Sequence, residues 1–340
     1  AAEGMAYGAF LGLGDHFIIA FAVALKSSSL LIGVLASLPG FLASLAQLYD
    51  TELVRLFKSR KAVIVTFALL QGLMFLPMLA LTLVPLGSPG WWLVFFATLY
   101  SIFGALTSPA WGSLMAEVVP DGLRGRYFSM RGRLSTLATV VTFLLAGVFL
   151  NLLAYQGLWA FAVLFGAAVL ARLLSSALLG QLYELPQPQA QAGTNSKRFA
   201  KDPGPASLGR YLLFLFAMSF AVNIASPYFT VYQLRDLKMS YLTFAVLETV
   251  SSLATLLAIT HWGQAADRVG NRKMLVWASF LIPFVPLLWV DSTNVYYLGV
   301  VQAFSGVAWA GFYLCAVNLL YDASAAMNRT RYLAYFYAGN

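Results

Sequence analysis

The sequence is poor in charged residues and in cysteine. Asp, Glu, Lys and Arg together make up 10% of its 340 residues, whereas about 25% is usual for a soluble domain. The single cysteine excludes a disulfide framework. Hydrophobic residues make up 60% of the chain and aromatic residues 15%, and the mean hydropathy is +0.77. A soluble domain could not bury this much apolar surface, so we expect an all-α polytopic membrane protein.

Long apolar runs, interrupted by charged residues or by glycine and proline, predict the membrane-spanning helices. Each span needs about 20 mostly apolar residues. The predicted spans are 4–25, 30–49, 62–84, 91–117, 134–154, 158–183, 211–233, 241–262, 274–290 and 295–321. An eleventh begins near Tyr332 and reaches Asn340 before it is long enough to cross the bilayer. We therefore expect the chain to be truncated within that helix, with some residues also missing before the first span.

The basic residues indicate an orientation in the membrane. Most of the 21 lysines and arginines fall in the loops that follow the even-numbered spans. Because lysine and arginine in short loops stay cytoplasmic, we expect a cytoplasmic N-terminus in a bacterial-type inner membrane. The net charge of +8 is then a topology signal, and it does not indicate a nucleic-acid partner.

One connector differs from the others in composition. Residues 184–210 are rich in proline, glutamine, glycine and charge, and such a segment cannot bury enough apolar surface to fold alone. The sequence therefore predicts an N-terminal six-helix bundle over 1–183, a cytoplasmic linker over 184–210, and an incomplete C-terminal bundle over 211–340.

Two short sequence patterns recur in both halves of the chain. An acid followed seven residues later by Arg-x-Arg-Tyr occurs at 117–127 and at 322–332. An Arg-Lys pair at 60–61, after the second span, matches another at 272–273, after the eighth. Such a repeat indicates two related six-helix units, which is a transporter architecture with the solute site near the bilayer midplane.

The loop after the eighth span, 263–273, reads GQAADRVGNRK. It resembles the GxxxDRxGxRK signature of the major facilitator superfamily, which lies between the second and third helices of each half. The corresponding stretch of the first half, TELVRLFKSRK at 51–61, is degenerate. The resemblance implies two six-helix bundles, about 12 helices in the full protein, and solute transport by alternating access. It also implies that the motif aspartate helps to hold the cytoplasmic side closed.

The motif and the acids at the helix ends form a candidate cytoplasmic gate. Gly270 permits a tight turn, and the carboxylate of Asp267 can cap a neighbouring helix or pair with an arginine. We hypothesise that ion pairs among these residues break and re-form during transport; alternatively, they are ordinary interfacial charges that fix topology. The candidates are Gly263, Asp267, Arg268, Gly270, Arg272, Lys273, Glu117, Arg124, Asp322, Arg329 and Arg60.

Ionisable residues inside predicted spans are candidates for proton coupling, because a charge in the membrane usually faces a partner or a cavity. Asp15 lies about 16 Å along the first span, on the face of Gly8 and Gly12, where another helix can approach closely. Its alternative role is a carboxyl group held in helix packing. His16 suits a proton relay or a packed core position. Glu248 lies roughly 10 Å into the eighth span and either couples protons or lines an outer vestibule.

Arg172 is a further charge, well inside the sixth span. It either pairs with an acid such as Asp15 or extends its head group toward the cytoplasm, and the sequence favours the second arrangement.

In the family that the chain resembles, the first, fourth, seventh and tenth helices line the cavity. Aromatic and amide side chains on these helices can bind a solute by stacking and hydrogen bonds; alternatively, they serve in packing or in the interfacial aromatic belt. The candidates are Tyr100, Ser108, Trp111, Asn223, Tyr228, Tyr232, Gln233, Gln302, Trp309, Tyr313 and Asn318.

The sequence has none of the common catalytic or nucleotide-binding motifs, so we expect neither an enzyme nor a bound cofactor or metal. Without a nucleotide site, active transport must be driven by an ion gradient; the alternative is passive uniport. The sequence therefore predicts a monomeric secondary active transporter of a small solute, with protons as the coupling ion and the bilayer as its surroundings. The alternative is a transporter-fold receptor or scaffold that binds a solute or partner without moving it.

Overall fold

The computed structural model describes residues 1–83, 87–120, 123–153, 157–184 and 206–323. Its regular structure over these residues is helical and contains no strand. The helices are α1 Ala2–Leu13, α2 Ile18–Ala24, α3 Ser29–Ala46, α4 Asp50–Phe57, α5 Arg60–Leu73, α6 Phe75–Leu83, α7 Pro89–Val118, α8 Arg124–Leu152, α9 Trp159–Gly180, α10 Ala206–Val231, α11 Tyr241–Val269, α12 Asn271–Leu281, α13 Phe284–Asp291 and α14 Val295–Ala323. The predicted all-α class is confirmed.

These helices form 10 spans, within the described residues, that are long and apolar enough to cross a membrane. Each lies where the hydropathy of the sequence predicts one, with ends shifted by up to eight residues, as at the start of the span Arg126–Leu152. Some spans contain two helices; for example, α1 and α2 together make the span Ala2–Ala24. The protein is an integral membrane protein. The predicted eleventh span lies outside the described residues.

The first span is interrupted in its middle by a single 3₁₀ turn, Asp15–Phe17. Gly14 precedes this turn and lies against the Phe75 ring, where a Cβ atom would come within 2.6 Å of a ring carbon. The break places Asp15 at the junction between α1 and α2, where the regular helical hydrogen bonding of the span changes.

The chain divides into two compact units, and the first contains residues 1–190 and 223–242. Within it, α1 packs closely on α8 through two glycines. A Cβ atom at Gly8 would overlap the Ser135 carbonyl oxygen, and one at Gly12 would overlap the Thr142 hydroxyl. Thr139 Oγ1 also donates a 3.0 Å hydrogen bond to the Gly8 carbonyl oxygen. The glycine-lined face of the first span is therefore a helix-packing surface, as its spacing indicates.

The second unit contains residues 191–222 and 243–340. Its core forms where α12 and α14 pack together, around Ala278 and Phe312, with the fully buried Cys315. On the neighbouring helix α11, Trp262 lies over Gly311 and its Nε1 donates a 2.9 Å hydrogen bond to the Val307 carbonyl oxygen. The division into bundles over 1–183 and 211–340 stays a prediction.

Candidate functional site

A cavity of about 190 Å³ opens within the first unit. It is bounded by four helices, α1, α7, α8 and α9, which bring together side chains from distant parts of the sequence. The lining residues are Glu3, Tyr7, Gly104, Thr107, Ser108, Trp111, Arg131, Arg172 and Leu179. Two of the sequence-predicted cavity residues, Ser108 and Trp111, are among them.

Arg172 is held inside the first unit. Only 3% of the surface of Arg172 is exposed. Its Nη2 donates a 2.6 Å hydrogen bond to Gln71 Oε1, and its Nη1 donates a 3.1 Å hydrogen bond to Ser175 Oγ. The guanidinium carbon lies 4.8 Å from the centre of the Tyr7 ring, a cation–π contact. The expectation that Arg172 extends toward the membrane surface is wrong, because neutral acceptors and an aromatic face within the bundle surround its head group.

A second arginine reaches the cavity from α8. Arg131 Nη2 donates a 2.7 Å hydrogen bond to Glu3 Oε2, and its guanidinium carbon lies 4.3 Å from the centre of the Trp111 ring. Glu3 also accepts a 3.3 Å hydrogen bond from Ser175 Oγ, which contacts Arg172 in turn. The two arginines are therefore joined through the Glu3 carboxylate and the Ser175 hydroxyl. The sequence does not indicate this cluster, because Glu3 and Arg131 are 128 residues apart in the chain.

Asp15 and Tyr100 form a hydrogen bond between the first span and α7. The Tyr100 hydroxyl donates to Asp15 Oδ1 at 2.8 Å. Tyr100 is 5% exposed, and its ring packs against Phe10 and Phe75, with ring centres 5.9 and 5.3 Å away. Phe10 also lies 5.3 Å from the Arg172 guanidinium carbon, so one aromatic ring separates this hydrogen bond from the arginine cluster.

His16 follows Asp15 directly but has different surroundings. Its side chain is exposed, and its ring lies 5.2 Å from the ring of Phe143 on α8. The two neighbouring candidates therefore point to different parts of the first unit.

In the second unit, Glu248 is half-buried and accepts a 2.9 Å hydrogen bond from Gln302 Nε2. This contact brings a proton-coupling candidate on α11 together with a cavity candidate on α14. Asn318 Nδ2 donates a 3.2 Å hydrogen bond to Asn271 Oδ1. Trp309 and the half-exposed Tyr313 stack on one another on α14, with ring centres 5.2 Å apart.

The remaining cavity candidates lie near the end of α10, in the segment 223–242. Tyr228 donates a 3.2 Å hydrogen bond to the Ser29 carbonyl oxygen. Gln233 is fully buried and follows Tyr232 in a π-helical turn, Tyr232–Asp236, a feature that often occurs at functional sites. Asn223 is exposed. None of these side chains lines the cavity beside Arg172.

An ion pair between a buried arginine and an exposed glutamate lies at the start of α5. Arg60 is 4% exposed, and its Nη1 donates 2.8 Å hydrogen bonds to Glu117 Oε1 and Ser113 Oγ. The Arg60 guanidinium holds the pKa of Glu117 below its ordinary value, through the hydrogen bond and through its charge. Glu184 accepts hydrogen bonds from the backbone N–H groups of Arg60 and Lys61, at 2.7 and 3.3 Å. These contacts cap the positive end of α5.

Comparison with known proteins identifies the family. The model of the Major Facilitator Superfamily matches residues 5–247 and 211–340, and these two ranges together span nearly the whole chain. The chain belongs to the major facilitator superfamily. The family, the fold and the spans together identify a transporter. No curated protein sequence matches it.

Solved structures of superfamily transporters share the fold. A point mutant of the nucleoside transporter NupG aligns with a TM-score of 0.73 at 12% identity, covering 99% of this chain and 86% of that chain. The xylose transporter XylE from E. coli, inward open, gives 0.70 at 15%, covering 99% and 84%. A D-xylose-proton symporter gives 0.70 at 17%, covering 99% and 86%. Identities this low establish the fold and leave the solute of this chain open.

The superfamily motif lies at the junction of α11 and α12. Gly270 has φ +97°, a conformation that favours glycine, and its N–H donates a 2.8 Å bond to the Ala266 carbonyl oxygen. Gly263 and Ala266 lie on α11, inside the same span. The charged motif residues are exposed: Asp267, Arg268, Arg272 and Lys273. Within the described part of the chain, no ion pair involves Asp267.

Three gate candidates cannot be compared with the structure. Arg329 lies outside the described residues, as do the side chains of Arg124 and Asp322. Of the hypothesised charge pairs, the Arg60–Glu117 pair is present. The breaking and re-forming of these pairs during transport stays a prediction.

Proposed function

We propose that this superfamily member is a proton-coupled secondary transporter that moves a small solute by alternating access, with Asp15 as the proton-binding group. The observation that carries the proposal is the 2.8 Å hydrogen bond from Tyr100 to Asp15, in the middle of the first span. A charged carboxylate inside a membrane protein is costly without a partner, and this hydroxyl supplies one.

Protonation changes what Asp15 can do. As a carboxylate it only accepts hydrogen bonds, whereas the protonated group also donates one. A proton that arrives or leaves therefore alters the contact between the first span and α7. The Phe10 ring carries this change toward Arg172 and the cavity, because it packs against both Tyr100 and the guanidinium group. Glu248, bonded to Gln302, is the second candidate for a coupling group.

Alternating access then requires a gate that opens and closes. The Arg60–Glu117 pair and the motif at 263–273 are at the ends of spans, where a cytoplasmic gate would be, given the cytoplasmic N-terminus that the loop charges favour. From the same topology we infer a bacterial-type inner membrane, and we propose that the protein acts as a monomer.

The test is solute flux in proteoliposomes that contain the full-length protein. The panel includes sugars and nucleosides, because two similar structures are named for a xylose symporter and a nucleoside transporter, together with amino acids and organic acids. We expect a flux that stops when the pH gradient is collapsed. Asp15→Asn should abolish gradient-driven accumulation and retain exchange of labelled solute across the membrane.

Glu52→Gln is the matched control, since Glu52 is exposed and pairs with Arg55 alone among the described residues. It should transport like the parent protein. A flux that ignores the pH gradient would overturn proton coupling and favour a uniporter. Binding without any flux would overturn transport and favour the receptor alternative.

A further inference from the structure

We propose that the cavity beside Arg131 and Arg172 binds a carboxylate, so that the solute is a small organic anion. This inference rests on the proposed transport function, because it names the class of solute that the same bundle carries. It follows from the charge and the walls of the cavity, and no similarity to another transporter contributes to it.

The charges around the cavity do not balance. Among the described residues that line it, Arg131 and Arg172 are cationic and Glu3 is anionic, which leaves one positive charge. Arg172 is the less compensated of the two cations. Its acceptors, Gln71 and Ser175, are both neutral, although a buried charge normally has a charged partner.

The hydrogen-bonding capacity of Arg172 is also incompletely used. Its Nε is buried and donates to no acceptor among the described residues. A guanidinium presents five N–H donors in a planar arrangement that matches a carboxylate in a two-point contact. A monoanion would supply both the missing charge and further acceptors. A phosphate group carries about −1.5 to −2 at neutral pH and would exceed the single positive charge, which favours a carboxylate.

The Glu3 carboxylate makes within the protein some of the contacts that the carboxylate of a solute would make. It accepts hydrogen bonds from Arg131 and Ser175, and Ser175 in turn accepts one from Arg172. The Glu3 side chain is 17% exposed and lines the cavity, so its negative charge opposes the entry of an anion. A solute carboxylate that enters the cavity competes with Glu3 for the Arg131 guanidinium and gives Arg172 a charged acceptor in place of its neutral ones.

The walls of the cavity limit the size and shape of the solute. Trp111 and Tyr7 contribute aromatic faces, and Thr107 and Ser108 contribute hydroxyl groups. The volume of about 190 Å³ is below the range of about 300 to 1,000 Å³ that is typical of drug-sized ligands. The cavity therefore fits a small carboxylic acid that carries either a ring or hydroxyl groups.

The experiment measures binding to the full-length protein in lipid nanodiscs. Lactate, benzoate and glucuronate are each paired with an uncharged counterpart, which are propane-1,2-diol, benzyl alcohol and glucose. Methyl phosphate is added as a separate arm, and ionic strength is matched with sodium chloride. The readout is the concentration-dependent rise of the thermal unfolding midpoint, followed by calorimetry for any compound that binds.

We expect at least one carboxylate to bind and its uncharged counterpart to fail. Arg172→Gln should weaken that binding about tenfold or more, because a hydrogen bond to a charged group is lost. Glu3→Gln should strengthen it, since the competing carboxylate is removed. Arg55→Gln, at an exposed arginine remote from the cavity, should bind like the parent protein. The opposite signs for Glu3 and Arg172 distinguish binding from a loss of stability.

The inference is overturned if no carboxylate binds, if the uncharged counterparts bind equally well, if methyl phosphate alone binds, or if Glu3→Gln weakens binding as Arg172→Gln does. Its failure is separate from failure of the proposed function. Gradient-driven flux of a neutral solute would support the proposed transport function and overturn the inference that the solute is an anion. Carboxylate binding without flux would support the carboxylate site and overturn the transport function.

Discussion

The Tyr100 hydroxyl donates its hydrogen bond to Asp15, which lies in the 3₁₀ turn between α1 and α2. Because Tyr100 is buried and packed among Phe10 and Phe75, the rigid partner is the tyrosine on α7. Under the proposed proton coupling, we therefore expect the junction of the first span to be the side of this contact that adjusts.

This contact should have a measurable coupling energy. In a double-mutant cycle with Tyr100→Phe and Asp15→Ala, we expect a coupling of about 1.5 to 3 kcal/mol in the free energy of unfolding, the usual size for a hydrogen bond to a charged group. Chemical unfolding in detergent gives the four stabilities. Additive effects of the two substitutions would show that the two side chains act independently.

The glycines of α1 should not tolerate a side chain. Gly8→Ala would place a methyl group on the Ser135 carbonyl oxygen, and we expect a loss of about 1 to 3 kcal/mol, as for other overpacked sites. Gly132→Ala, on the packing partner α8, is the control, because no atom lies within 4 Å of the added Cβ. That change should be neutral or stabilise the helix. Equal thermal midpoints for the two variants would contradict the close packing of α1 on α8.

The Arg60–Glu117 pair should make stability depend on pH in the acid range. The pKa of Glu117 is lowered in the folded protein, so its contribution is complete above the unfolded value and is lost as the pH falls through the folded one. Since the Glu117 side chain is 45% exposed, the effect should be below about 1 kcal/mol. Thermal midpoints between pH 7 and pH 3 should fall less steeply for Glu117→Gln, while Glu52→Gln should follow the parent protein.

Of the two glycines in the superfamily motif, Gly263 and Gly270, only Gly270 should be required for the turn. Gly270 has φ +97°, and Gly270→Ala is expected to cost about 1 to 3 kcal/mol of backbone strain. Gly263 is helical, and a Cβ there would make only an ordinary 3.8 Å contact. Gly263→Ala should therefore leave the unfolding midpoint unchanged or higher. A similar loss in both variants would indicate that packing, and not the turn, selects these glycines.

The membrane-spanning helices could be predicted from the sequence because the hydropathy of each segment depends only on its own residues. The glycine face of α1 was accessible too, since residues four apart share one side of a helix. The arginine cluster was not. Glu3 and Arg131 are 128 residues apart in the chain, and nothing in the spacing of either one indicates the other.

Arg172 illustrates the physical reason for the wrong expectation. The free energy of a lone arginine in a span is lowest with its head group at the membrane surface, when no partner lies within the protein. Here the Arg172 head group contacts Gln71, Ser175 and the face of the Tyr7 ring inside the bundle. Those partners come from three different helices, so only their packing determines where the charge lies.

The burial of Cys315 has a practical consequence. It is the single cysteine of the 340 residues, and none of its surface is exposed in the core of the second unit. A thiol-reactive fluorophore or spin label should leave it unmodified in the folded protein. An engineered cysteine at an exposed position such as Arg55 or Arg272 would then carry the only label, and the native thiol could be kept in place while distances are followed spectroscopically.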